Sequence, residues 1–290
     1  MLSATSTREF AGSTMRSTIF LERRLRAHLV TRDHLLYDSA YAPPAKQPSP
    51  VVHLYATLRG TLAITGATPV SGRCAYVLAE SEFDRVVSGA RTFRSYGEPV
   101  VIVELRVPAS DLHRPAGLDH GPVAMPDAVW DAYAALEETR TETALHQLIA
   151  RLGEARILSR DLTASVVEHE PERFVRLWTV LEPLYKDLAT SASLKQIATI
   201  AGLSLRQLGR DLGELTRTFG LFGAGFRDAM RVLRLRAACL LLSAPTATPS
   251  EVAKAVGYGS LDAMGRAFRD AHLPAPSVVQ EAVRYEPELT

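Results

Sequence analysis

Arg206 and Arg210 stand four residues apart in SLRQLGRDL, so a helix would carry both guanidinium groups on one face. Each is a rigid fork of donors that fits a guanine O6/N7 pair or a phosphate. Ser204, just ahead of them, is of the residue type that starts helices, and its hydroxyl can also donate to a phosphate. Gln207 can close that cap or reach a base edge. A second set repeats the pattern with Ser260, Asp262, Arg266 and Arg269. Asp262 suits the positive end of a helix and could accept from a cytosine amine, whereas Ser260 and Arg266 are fitted to a duplex backbone. A third set, His53, Tyr55 and Arg59, alternates along HLYATLR and would share one face of a strand, turned either to a ligand cavity or to solvent.

Other chemistry has no such footing. A metal held in a small barrel needs two histidines spaced H-x-H, then a carboxylate and a third histidine. His53 is followed by Tyr55 instead, and His28, His34, His113, His120, His146, His169 and His272 are scattered. There is no glycine-rich phosphate loop, dinucleotide fingerprint or Ser/His/Asp cue. The expectation is therefore a protein that is not an enzyme and has no metal or other cofactor. A metal-dependent barrel enzyme would require bound metal.

The arginines need elements to hold them, and an internal repeat supplies these. Shifting by 55 residues places Thr248, Glu251, Ala253 and Gly257 on Ser193, Gln196, Ala198 and Gly202. Ser193 with Gln196, and Thr248 with Glu251, are capping boxes, and Pro249 takes the favoured first helical position. Ala198 and Ala253 allow close helix approach, while Gly202 and Gly257 can take positive φ and turn the chain sharply. Beyond the turn the shift becomes 56. Ser204 then matches Ser260 as the next N-cap, Leu208 and Leu212 match Met264 and Phe268 as core residues, and Arg210 matches Arg266 outside. Each copy reads as a helix-turn-helix, at 193–217 and 248–271.

Between the copies, FRDAMRVLRLRAACLLL predicts a connecting helix over 226–242, with Phe226, Met230, Leu233, Ala237 and Leu240 as its core face. Arg227, Arg231 and Arg234 lie on another face, either contacting phosphate or simply solvated. Such a helix spans about 25 Å, so the flanking motifs could sit about one DNA turn, roughly 34 Å, apart.

The first half has a different period. Val52, Leu54, Ala56 and Leu58 alternate with polar residues, and Val101, Val103, Leu105 and Val107 repeat the theme, which predicts an antiparallel sandwich or small barrel. After Pro126 the step becomes three and four residues. Trp130, Tyr133, Leu136, Leu145 and Leu148 then form apolar helix faces that either pack on the sheet or dimerise. Composition is globular, at 47% apolar and 22% charged residues, and the formal net charge is +1. No long uncharged apolar run and no signal-like N-terminus are evident, so a cytoplasmic chain without membrane contact is expected. Cys74 and Cys239, far apart, read as free buried thiols.

Residues 172–285 resemble the DNA-binding domain of the AraC/XylS family of transcription regulators. The resemblance rests on SLKQIATIAGLS, RLRAACLLL, PSEVAKAVGYGS and GRAFRDAHLPAPS, with Pro276 where that family has a proline. Three departures stand out: GELTRTFGLFGAG at 213–225 is about six residues longer than the pattern, Met264 replaces an aromatic, and Leu273 replaces a glycine. The resemblance implies an α+β protein with an N-terminal antiparallel, cupin-like β-barrel over 1–124, a helical connector over 125–170, and an all-α double helix-turn-helix domain over 171–290. It further implies binding to double-stranded promoter DNA under control of the N-terminal domain by a small-molecule effector or partner protein, contact with RNA polymerase, and a homodimer. The alternative is a non-catalytic ligand-binding or interaction module with a degenerate double motif, since Gly209, Gly213 and Gly265 leave the recognition helices sparse.

Overall fold

The computed structural model describes residues 1–43, 51–64, 68–78, 93–113, 120–164, 170–190, 192–219 and 225–284. Its first half is one antiparallel sheet of strands β1 (Leu2–Phe10), β2 (Ser13–Leu21), β3 (Arg26–Asp33), β4 (Tyr37–Asp38), β5 (Val51–Ile64), β6 (Val70–Ser71), β7 (Cys74–Leu78), β8 (Phe93–Pro108) and β9 (His120–Val123). The order is β1-β2-β3-β8-β5-β7-β9, with β4 on β8 and β6 on β5. Alternating apolar residues fix the register: Leu29 pairs with Val103, and Leu54 with Leu105. The N-terminal antiparallel sheet is as expected, and among the described residues its end strands β1 and β9 do not pair with each other. The edge at β1 is instead covered by a helix, as exposed strand edges commonly are.

Sequence periodicity overlooks the hairpin β1–β2, because its strands are rich in serine and threonine and offer little apolar alternation. Backbone geometry supplies the missing signal. Ala11 (φ 48°) and Gly12 (φ 78°) both lie in the left-handed region, the two-residue connection that suits the twist of paired strands.

Three helices follow: α1 (Asp127–Thr139), α2 (Glu142–Glu154) and α3 (Arg160–Ala164). Tyr133, Leu136, Leu145 and Leu148 are fully buried, and Trp130 nearly so, in one core with Leu29, Leu54, Val103 and Leu105. The connector thus spends these five residues on its own sheet, and they do not form a dimerisation surface.

The remaining helices are α4 (Glu172–Lys186), α5 (Leu194–Ala201), α6 (Leu205–Thr218), α7 (Phe226–Leu241), α8 (Pro249–Ala255), α9 (Leu261–Asp270) and α10 (Pro276–Arg284). They form two cores. One gathers α4, α5 and α6 around Phe174, Leu181, Ile197, Leu208 and Leu215, and takes in Leu2, Ala4 and Leu21 from the sheet. The other gathers α7 to α10 around Leu235, Val252, Met264, Phe268 and Val279, and takes in Leu35. Met230 belongs to the first core and Leu235 to the second, so α7 is the rod both share.

The buried stripe of α7 differs from the one expected. Met230 is buried as expected, but Ala229, Val232, Leu235, Ala238, Cys239 and Leu241 are the other packed residues, while Phe226, Leu233, Ala237 and Leu240 are only partly buried. The helix is flanked on two sides, and one side meets the sheet across a cavity. Of the 213–225 extension, α6 absorbs residues up to Thr218, and 220–224 lie outside the described residues.

Candidate functional site

Both helix-turn-helix units are built as their residues dictate. Ser193 and Gln196 exchange reciprocal backbone bonds of 3.2 and 2.8 Å, and Thr248 and Glu251 do the same at 3.3 and 2.9 Å. Hydrogen bonding to Thr248 holds the Glu251 carboxyl below its usual range. Gly202 closes α5 at φ 66°, and Gly257 turns at φ 83°. At Gly257 a side chain is also excluded by packing, because a Cβ would meet the Leu188 carbonyl at 2.5 Å.

The outward faces carry the expected residues. Ser204, Arg206, Gln207 and Arg210 on α6, and Ser260, Asp262, Arg266 and Arg269 on α9, are all exposed. The hydroxyls of Ser204 and Ser260 accept from Gln207 N at 3.2 Å and Ala263 N at 3.1 Å, which caps both helices and leaves each O–H proton for a phosphate. Only the backbone of Gln207 enters the cap, so its amide side chain stays available for a base edge. Arg210 touches Asp211 at 3.3 Å yet keeps 72% of its side chain exposed. Sequence reading missed Leu205 and Leu261, which occupy equivalent first-turn positions and are exposed by 57% and 38%. Their chemistry is apolar contact, such as with a thymine methyl.

Arg234 takes a third role beside those expected. It donates to the Leu188 carbonyl at 3.0 Å and the Thr190 carbonyl at 3.2 Å, tying α7 to the end of α4. Arg231 pairs with Asp228 at 2.8 Å, and Arg227 is exposed.

A cavity of about 340 Å³ lies between the sheet and helices α4 and α7. His53 and Tyr55 line it, as their alternation predicts. Arg59 does not join them. The β5–β8 register shifts on both sides of Arg59, and this bulge breaks the alternation, so Arg59 forms an ion pair with Glu137 instead. The cavity residues that sequence reading missed sit on neighbouring strands: Arg26, His28 and Arg32 on β3, and Glu104 on β8. For Arg26, His28 and Arg32 the available signal is their two-residue spacing in RAHLVTR, where polar residues stand in the alternating positions.

Electrostatics in the cavity follow from burial and one central carboxylate. Glu104 accepts from His53 Nδ1 at 2.6 Å and from Arg26 at 3.3 Å. Burial pushes its carboxyl up, but Arg26, His53 and His28 outweigh that and hold it well below the usual range. Desolvation, joined by Arg26, Arg32 and Arg236, pushes His28 down to about 4 against the pull of Glu104, so its imidazole is neutral near pH 7. Burial lowers Arg32 to about 10 and raises the phenols of Tyr37 and Tyr55, which remain donors. Among the described residues no three potential metal ligands cluster, and no helix is long and apolar enough to cross a membrane.

The structure thus sets a sheet-borne cavity against two helix-turn-helix units that share the rod α7. Residues 197–282 match the family model described as a helix-turn-helix domain. No curated protein matches the chain. Among solved structures, ToxT from Vibrio cholerae aligns at 8% identity over 88% of this chain and 98% of its own, with a TM-score of 0.38. The AraC-like transcriptional activator CuxR aligns at 11% identity over 77% and 80%, with a TM-score of 0.34. KdgF from Halomonas sp. aligns at 14% identity over 36% of this chain and 86% of its own, with a TM-score of 0.25. Superpositions this loose leave the fold to be read from the chain itself.

Proposed function

We propose that the protein is a sequence-specific regulator of transcription that binds double-stranded promoter DNA through α6 and α9 and is controlled by a small molecule held in the N-terminal half. One observation carries the reading: two capped helix-turn-helix units share the rod α7, and each turns a pair of arginines outward. The rod has 16 residues, about 24 Å of helix, which suits two wedges entering successive major grooves. In this reading 1–124 is the receptor half, 125–170 its helical buttress and 171–290 the DNA-binding half.

Arg206 and Arg210 are the base readers, supported by Gln207. Ser204, Ser260, Arg266 and Arg269 grip phosphates, and Asp262 accepts from a cytosine amine. The receptor site includes His53 and Tyr55. A cytoplasmic homodimer that contacts RNA polymerase completes the picture, with pairing through faces other than the buried α1–α2 stripe; sedimentation of the purified chain measures the first part. Selection of bound duplexes from fragmented genomic DNA tests the whole. Enriched sequences that share a motif, lost with the double variant Arg206→Ala/Arg210→Ala, are expected. Enrichment without a motif, or one indifferent to the double variant, would favour the second reading, an interaction module whose sparse recognition helices no longer read bases.

A further inference from the structure

We propose that each recognition helix carries a notch, formed by a leucine and a glycine one turn apart, that takes the C5-methyl group of a thymine in duplex DNA. The inference deepens the DNA-binding reading above and rests on it. It starts from two glycines that the fold does not ask for. Gly209 on α6 and Gly265 on α9 sit inside helices, where glycine is the poorest former after proline. Neither has positive φ, and a Cβ added to either would meet nothing within 4 Å. Gly202 and Gly257, by contrast, lie at positive φ and turn the chain. Gly209 and Gly265 are also equivalent under the 56-residue shift that matches Ser204 with Ser260. A costly residue placed twice at the same position, with no use inside the chain, serves whatever meets that face from outside.

The neighbours of the two glycines say what that is. One helical turn before each stands a leucine on the same face, Leu205 and Leu261, exposed by 57% and 38%. Each still has apolar surface to bury, and the position beside it is empty. Directly after each glycine comes an exposed arginine, Arg210 and Arg266. At α9 this arrangement forms a hollow of about 310 Å³, lined by Leu261, Asp262, Gly265, Arg266 and Arg269 and bounded by the starts of α8 and α10. Two arginines against one carboxylate leave its rim cationic, which suits the phosphates that border a major groove. An apolar notch inside a cationic rim fits a base edge, and thymine alone of the four bases offers a methyl group there. Without a side chain at Gly209 or Gly265 the helix backbone can approach that edge closely, and the leucine covers the methyl. The residues that make the recognition helices look sparse are therefore the ones that shape the contact. With one notch on each helix, the duplex carries two such thymines about one turn, roughly 34 Å, apart.

The test takes the duplex that the full chain selects from fragmented genomic DNA and replaces its thymines by deoxyuridine, which lacks only the C5-methyl, one at a time and in pairs. Loss of one contacted methyl is expected to weaken binding about fourfold, and loss of both about fifteenfold. The two sensitive positions are expected one turn apart, with deoxyuridine elsewhere changing nothing. Leu205→Ala and Leu261→Ala should each erase the thymine preference at one of these positions and leave it at the other. Gly209→Ala gives a readout that a damaged fold cannot mimic. Alanine is expected to hold or raise the thermal midpoint. It should nevertheless weaken the thymine duplex at least as much as loss of the methyl does, and bind the deoxyuridine duplex no worse than the wild type, because its own methyl fills the vacated space. Four results would overturn the notches and leave the regulator reading standing: a selected motif bound equally well in both forms, equal losses at every thymine, methyl dependence at one position only, or a preference that survives both leucine substitutions. Selection of no shared motif would defeat the regulator reading and the notches with it.

Discussion

Arg206 and Arg210 differ from Arg234 in what surrounds them, and that difference leaves the first two exposed for the base contacts proposed above. The first two project from α6, whereas Arg234 spends its donors on the carbonyls of Leu188 and Thr190. Substituting either Arg206 or Arg210 by alanine is expected to cost about 1–3 kcal/mol of specific duplex binding and to relax preference at one base position, measured by competition titration. Arg266→Ala should instead weaken all sequences alike and lower the salt slope by about 1. In the cavity, His28 offers a pH test. Its folded value of about 4 lies below the unfolded 6.5, so the unfolded chain binds a proton that the folded chain refuses between those values. Stability is therefore expected to fall as pH drops from 6.5 towards 4, by about 1–2 kcal/mol at pH 5. His53, also depressed by burial, adds in the same direction. Urea midpoints at pH 7 and pH 5 check this, and His28→Gln should flatten part of the difference.

At the scale of elements, the junction between α8 and α9 is the tightest point in the helical half. Gly257 combines positive φ with a carbonyl contact that no Cβ can share, and it sits against Leu188 and Arg234, which also join α4 to α7. Gly257→Ala is expected to destabilise the chain by more than about 1 kcal/mol, through strain at φ 83° together with the forced shift of Leu188. Gly202→Ala, with nothing within 4 Å of its Cβ, carries the φ penalty alone and should cost less in the same thermal melts. The capping boxes and the turn glycines were legible because each is a local rule, satisfied within four residues. The buried stripe of α7 was not, since a helix flanked on two sides has no single apolar face to read.

Over the whole molecule, the hairpin β1–β2 is the bridge. Trp178 donates its indole N–H to the Ser3 carbonyl at 2.9 Å, Thr246 N donates to the Ala11 carbonyl at 3.2 Å, and Arg8 reaches the Ala255 carbonyl at 3.4 Å. The hairpin thus reaches α4, the loop ahead of α8 and the second helix-turn-helix unit. Removing the donor with Trp178→Phe deletes the part-buried bond to the Ser3 carbonyl, an expected cost of about 1 kcal/mol. Hydrogen exchange should report faster opening of Leu2–Phe10, and unchanged protection there would argue against a coupling hairpin.

The residues by themselves determined the two helix-turn-helix units, their caps and turns, the outward arginines and the β-rich first half, because short-range backbone chemistry and periodicity govern all of these. Only the tertiary structure decided that α4 covers the β1 edge of the sheet, that the connector helices are buried on their own sheet, and that a bulge turns Arg59 away from His53 and Tyr55. It alone brought Arg32, Glu104 and α7 to one cavity. Residues far apart in sequence meet through strand register and helix docking, and no local pattern encodes which face will find a partner.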